Sequence, residues 1–221
     1  MSQDTYWVLG WSYRFPDNPV KVSIEASTEA GLTTSVADGT DTFDKYKSGR
    51  HEIYQSEGGY DIETVRKQIT EDGSGELYFC CDSDYVTIEF PEITPDTGST
   101  TPTILLRVSK ASFFNLDVKT LVRWIGEIAV AFDVDYMIGC WDYQLADVAT
   151  KELAELKRIP WVVVLSSERI EELGGRVHVR ETPAWKVEEL ETGHIVIVRS
   201  NNPLEPTEKP TAAPERHLLG E

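Results

Sequence analysis

Between Glu76 and Val108 three short runs of aromatic and β-branched residues follow one another, separated only by turn and loop residues. Glu76 to Cys81 (ELYFCC) predicts one strand and Asp82-Ser-Asp84 a turn. Tyr85 to Phe90 (YVTIEF) predicts a second strand, with Tyr85, Thr87 and Glu89 alternating against Val86, Ile88 and Phe90. A loop of Pro, Gly, Thr and Ser from Pro91 to Pro102 leads to Thr103–Val108 (TILLRV), whose apolar continuity suggests a strand covered on both faces. Such an array is an antiparallel meander. It commits the chain to a sheet and leaves open only what covers it.

The flanking segments supply the cover. Thr5–Tyr13 (TYWVLGWSY) predicts a strand that stops before Pro16. Residues 17–38 are ambiguous, because Val20, Val22, Ile24 and Ala26 alternate as in a strand while Val20, Ile24 and Leu32 also fit a helical face. Thr40–Gly59 is mostly polar and reads as loop anchored by Phe43, Tyr46 and Tyr54. Asp61 can cap a helix reaching Ile69, and Asp72-Gly-Ser-Gly75 is a turn. A helix opened by Asn115 or Asp117 carries Val118, Leu121, Val122, Ile125, Ile128, Ala129 and Phe132 at spacings of three and four, a core-facing stripe. Asp135–Trp141 is then a buried strand, Asp142–Lys157 a second helix, and Trp161–Leu165 a strand. Ser166 and Ser167 cap a short helix from Glu168 to Leu173, which Gly174-Gly175 ends. Arg176–Val179 reads as a strand, Pro183–Leu190 as a short turn or helix, and Ile195–Val198 as the last strand.

This order predicts an α+β fold: an antiparallel-rich sheet with helices packed mainly on one face, in a single domain spanning residues 1–200. Residues 201–221 contain Pro203, Pro206, Pro210 and Pro214 and cannot continue a sheet, so they read as an extended C-terminal tail along the surface.

Charge narrows the partners. The 221 residues carry 38 acidic against 21 basic side chains, a net charge of −17. Twelve acids lie between Glu52 and Asp96, with only Arg66 and Lys67 among them. Nucleic-acid backbones and anionic membranes are both disfavoured by such a surface, since each is bound through Lys and Arg. A basic protein is attracted and steered toward it. Solubility, or a salty cytoplasm, accounts for the same acidity without a partner. Three cysteines, two of them adjacent (Cys80, Cys81, Cys140), make no disulfide framework. The opening Met-Ser-Gln-Asp-Thr-Tyr has no signal-peptide character, and no apolar run reaches membrane length. The expected setting is cytoplasmic, with reduced thiols.

Searching for chemistry yields little. There is no G-x-S-x-G elbow and no glycine-rich phosphate loop. Cys140 sits in an apolar run, where a thiol is packing. His51, His178, His194 and His217 show no metal-ligand spacing. On a strand, His178 and Arg180 would share a face while Glu181 points away. Asp82 and Asp84 flank one turn residue and could meet Ca²⁺, but a solvated turn explains them. The sequence therefore points to no catalytic residue, metal or cofactor. Of the six tryptophans, Trp7 and Trp11 fall on one strand face and read as core. Trp185, beside Pro183 and outside any periodic element, reads as a partner anchor.

One pattern links these pieces. Gly10-Trp11 in the first strand precedes Phe43-Asp-Lys-Tyr-Lys-Ser-Gly49, the meander, and the long helix into Ala131-Phe-Asp-Val-Asp135. Ile159-Pro-Trp-Val-Val-Val-Leu165, Val187-Glu-Glu-Leu-Glu-Thr-Gly193, the strand Ile195–Val198 and Asn201-Asn-Pro203 follow. The arrangement resembles the immunity proteins of bacterial polymorphic-toxin systems, in particular immunity protein family fifty-two. The resemblance implies a protein that is not an enzyme and neutralises a cognate toxin, expected to be a nuclease, by covering its basic active-site surface. The acidic surface that would meet such a basic surface is expected around Asp72, Glu76, Asp82, Asp84 and Glu92, with Trp185 as anchor and Glu168, Glu171 and Glu172 as a secondary choice. An acidic adaptor or DNA-mimicking regulator shares the acidity. An enzyme would instead need a pocket joining His178 or His194 to Cys140 or a carboxylate.

Overall fold

The computed structural model describes residues 5–12, 16–33, 40–47, 50–57, 75–81, 84–90, 102–109, 117–141, 160–201 and 213–219, with 40–47 and 50–57 known by their backbone alone. Ten strands form one antiparallel sheet: β1 (Thr5–Ser12), β2 (Thr40–Lys47), β3 (Arg50–Glu57), β4 (Gly75–Cys81), β5 (Asp84–Phe90), β6 (Ile104–Ser109), β7 (Val134–Trp141), β8 (Val162–Leu165), β9 (Lys186–Glu189) and β10 (Ile195–Val198). Their order across the sheet is β3-β2-β4-β5-β6-β1-β7-β8-β10-β9. The meander β4-β5-β6 is as expected. The first strand sits in the interior, with Thr5 opposite Ser109 of β6 and Tyr6 opposite Trp141 of β7.

Period-two alternation divides the sheet into two faces. Tyr6, Val8, Leu77, Phe79, Val86, Ile88, Ile104, Leu106 and Val108 face one core, which α1 (Pro19–Glu29) and α2 (Val118–Ala131) cover. The two helices also lean on each other, and Trp124 Nε1 donates to Ser27 Oγ at 2.9 Å. Leu9, Trp11, Tyr136, Ile138, Cys140, Val163, Leu165, Ile195 and Ile197 face a second core, closed by Ile170 of α3 (Ser167–Glu172), Val179 of α4 (Arg176–Arg180) and Leu218 of α5 (Ala213–Leu219). The two longer described helices thus share one face, and three short ones cover part of the other.

Close approach fixes one glycine. Tyr6 lies over Gly139 of β7, and a Cβ there would collide with the Tyr6 ring and with Val162. The ring is held edge-on by Trp141 and Trp161, with centroids at 5.2 and 5.7 Å.

Several sequence expectations are corrected. Within the ambiguous stretch 17–38, Pro19–Glu29 is the helix α1, because Asn18 Oδ1 accepts from Lys21 N–H at 3.1 Å and Pro19 occupies the first turn, where its missing N–H costs nothing. Within the segment expected as loop, Thr40–Lys47 and Arg50–Glu57 are paired antiparallel strands, with Lys47 opposite Arg50. β6 is buried on one face only, since Ile104, Leu106 and Val108 are buried while Leu105 and Arg107 are partly exposed. Arg176–Val179 is helical: Gly175, at φ 90°, restarts the chain after α3 and leaves Val177 exposed and Val179 buried. His178 and Arg180 therefore do not share a strand face. Residues 183–190 contain β9, paired with β10 from Lys186–Val198 to Glu189–Ile195. The tail is not wholly extended. Ala213–Leu219 is helical, Leu218 is buried, and His217 stacks on His178 at 4.2 Å while its Nε2–H donates to His178 O at 2.7 Å. The expected helices at 61–69 and 142–157 lie outside the described residues.

Candidate interaction site at the edge of the sheet

Among the described residues β9 closes one end of the sheet, with β10 as its single neighbour. The hairpin that carries it is held from several sides. Leu190 N–H donates to His194 O at 2.8 Å, and Gly193, at φ 85°, turns the chain with its N–H on Leu190 O at 2.9 Å. Trp185 N–H donates to Arg199 O at 3.2 Å. Arg176 of α4 reaches Glu189 Oε1 at 2.5 Å and Gly193 O at 3.1 Å, and Arg180 stands 3.6 Å from Glu189. His194 supports the turn from below: its Nε2–H donates to Val134 O at 3.0 Å, and Nδ1 accepts from the Thr192 hydroxyl at 2.8 Å.

Beside β9 the polar side of α2 leaves a groove of about 770 Å³. Val122, Gly126, Val130, Leu190 and Val196 make its apolar base. Gly126 is the point of closest approach, since a Cβ there would lie 3.5 Å from Leu190 Cδ1. Glu127, Glu188, Glu191, Lys119 and Arg123 rim it, and Trp185 stands at its mouth. Trp185 is 44% exposed and is the only large aromatic so exposed among the described residues. Neither His178, His194 nor Cys140 lines this groove.

The remaining acids chosen from the sequence fall elsewhere. Glu76 is buried on the second face of the sheet, 3% exposed, and does not present a free carboxylate. Its Oε2 accepts from Arg107 Nη2 at 2.9 Å and from the Tyr78 hydroxyl at 2.8 Å. The assignment of Glu76 to a partner contact is thereby corrected: alternation along β4 puts it beside Arg107 of β6, two strands away. Arg107 also faces Glu89, with Nη1 3.1 Å from Oε1 but without a directed hydrogen bond, and its guanidinium lies 5.8 Å from the Trp7 ring. Burial, only partly opposed by Arg107 and reinforced by Glu76, pushes the Glu89 carboxyl up to about 7. Asp84 pairs through its backbone with Cys81, and its side chain lies outside the described residues, as do Asp72, Asp82 and Glu92.

Glu168, Glu171 and Glu172 of α3 are exposed. Glu172 is taken by Arg169 at 2.7 Å, which also grips buried Asp135 at 2.7 Å. Burial alone would lower the Arg169 guanidinium, but its hydrogen bonds to Asp135 and Glu172 outweigh that and raise it further. The same guanidinium lies over Tyr136, which stacks on Trp11 at 4.5 Å. Trp7 and Trp11 are thus accounted for as packing. The sequence reading missed Arg107–Glu89 and Arg169–Asp135, whose partners come from distant strands and leave no local signal. Among the described residues no group of three or more His, Cys, Asp or Glu could hold a metal ion, and no helix is long and apolar enough to cross a membrane.

No protein-family model matches the chain, and no curated protein matches it. Among solved structures it is similar to one described as "Pseudomonas aeruginosa T6SS protein PA0821", with a TM-score of 0.59 at 11% identity. The likeness covers 98% of this chain and 72% of that one, and it establishes a shared fold.

Proposed function

We propose that this chain is an immunity protein of a type VI secretion (T6SS) toxin system. It binds a cognate antibacterial toxin, expected to be a nuclease, in the cytoplasm of the producing cell and covers its basic active-site surface. It performs no chemistry of its own and needs no cofactor. The observation that carries the reading is Trp185, exposed beside a groove whose lining acids outnumber its bases, in a chain of net charge −17. An aromatic anchor within an acidic field suits a basic protein, because the field speeds encounter and the ring supplies desolvated contact area. The shared fold with a T6SS protein over nearly the whole chain supports the setting. The motif resemblance to immunity protein family fifty-two points the same way.

The test is co-expression with the product of the adjacent gene. Restored growth and a co-purifying 1:1 complex are expected. Growth arrest despite abundant soluble protein would remove the reading. Raising ionic strength should slow association far more than it speeds dissociation.

A further inference from the structure

We infer that β9 is an acceptor for an eleventh strand: an extended, lysine- or arginine-bearing segment of the partner adds to this edge and sets an apolar side chain into the groove beside α2. The inference rests on the binding role proposed above and names the partner's chemistry.

An edge strand presents unpaired backbone N–H and C=O groups, and only another extended chain satisfies such a row. Among the described residues nothing pairs with the outer side of β9, and Glu188, Glu189 and Trp185 beside it are all exposed. Folded proteins commonly protect edges by keeping them short and charged. β9 is short and charged: Lys186 pairs with Glu188 and Glu189 takes Arg176 and Arg180, while the groove it borders keeps an acidic excess, Glu29, Glu127, Glu188, Glu189 and Glu191 against Lys119, Arg123 and Lys186. Arg176 and Arg180 approach Glu189 from α4 and hold it in place without covering it. Like charges facing one another disfavour pairing with a second copy of this chain, whose net charge is −17. A basic strand meets the opposite situation. The groove adds direction, because its apolar base of Val122, Gly126 and Leu190 is continuous with the edge and Trp185 stands beside it. Alternate side chains of an added strand would point into this recess and away from it.

Two arms test this. In the first, ¹⁵N-labelled protein is titrated with a capped hexapeptide of alternating lysine and valine, and with a fully N-methylated version that keeps the charge but loses the backbone donors. Shifts concentrated at residues 185–190, slowed amide exchange in β9, and at least about tenfold weaker binding of the methylated peptide are expected. Glu188→Lys with Glu191→Lys, folded by circular dichroism, should abolish the shifts. Equal binding of both peptides, no binding by either, or shifts confined to other strands would overturn the inference. In the second arm, hydrogen exchange is measured on the complex with the adjacent gene product. Protection of β9 amides supports edge pairing. A stable complex with unchanged β9 exchange defeats it while leaving the immunity role intact. Peptide capture at β9 without any toxin complex defeats the immunity role and leaves the edge acceptor standing.

Discussion

Arg107 Nη2 donates to Glu76 Oε2 at 2.9 Å across the face of the sheet, and the same guanidinium is the counter-ion of Glu89. One cation therefore serves two largely buried carboxylates, with side chains 4% and 17% exposed. Replacing Arg107 with Met removes that cation from both and leaves Glu76 with the hydrogen bond from Tyr78. The expected loss is about 3–5 kcal/mol in urea unfolding near neutral pH, shrinking as acid neutralises the carboxylates.

The pH dependence of that cluster has a definite sign. Glu89 titrates at about 7 in the folded chain against an ordinary value of 4.5. Between these values the folded state holds a proton that the unfolded state releases. The contribution to stability is therefore fully present below about 4.5 and is lost as pH rises through 7. The shift corresponds to up to roughly 3 kcal/mol. Glu89→Gln should flatten this part of the profile and gain on the parent at pH 8, and unfolding midpoints of both proteins across pH 4–8 would check it.

Gly139→Ala should destabilise by about 2 kcal/mol or more, because the new methyl group overlaps Tyr6 and Val162 in a close-packed interior. Thermal melting is the measurement. The double variant with Tyr6→Ala should recover part of the loss relative to Tyr6→Ala alone, since the larger of the two clashing groups is then gone.

Trp185→Ala separates stability from recognition. Its ring is 44% exposed, so the unfolding midpoint should move by less than about 1 kcal/mol. Affinity for the toxin should fall by more than about tenfold, as expected for a central aromatic anchor, and calorimetric titration reads it directly. An unchanged affinity would move the interface away from β9.

Leu218 of α5 is 7% exposed against the second core. Leu218→Ala should cost about 2 kcal/mol or more. Limited proteolysis should then cut first within Ala213–Leu219, as α5 loses the apolar contact that Leu218 makes with the second core.

The strongest periodic signals were the most legible. The stripe from Leu121 to Phe132 and the runs in β4, β5, β7, β8 and β10 predict elements that the structure contains. What failed was local context. In α1 the buried positions include Ser23 and Ser27, so the helical face does not look apolar, and its start depends on Asn18-Pro19. β2 and β3 are polar strands whose pairing comes from neighbours rather than composition. α4 and β9 are too short for periodicity to choose between them. At the candidate site Trp185 was visible as an aromatic outside any pattern, whereas the groove beside it needs α2 and β9, far apart in the chain, to be brought together. Acid counting misjudged Glu76 because net charge does not reveal which carboxylates are neutralised internally.

The placement of β1 between β6 and β7 has a consequence for how the molecule assembles. Both of its ladders are long-range, since its partners lie beyond residue 100. No short fragment contains a finished centre, and closing such distant contacts is slow. Until β7 docks, Tyr6, Val8 and Leu9 are left without their native neighbours on that side. Bisecting the chain within 90–101 should therefore yield two pieces that are each insoluble apart and regain order only when mixed.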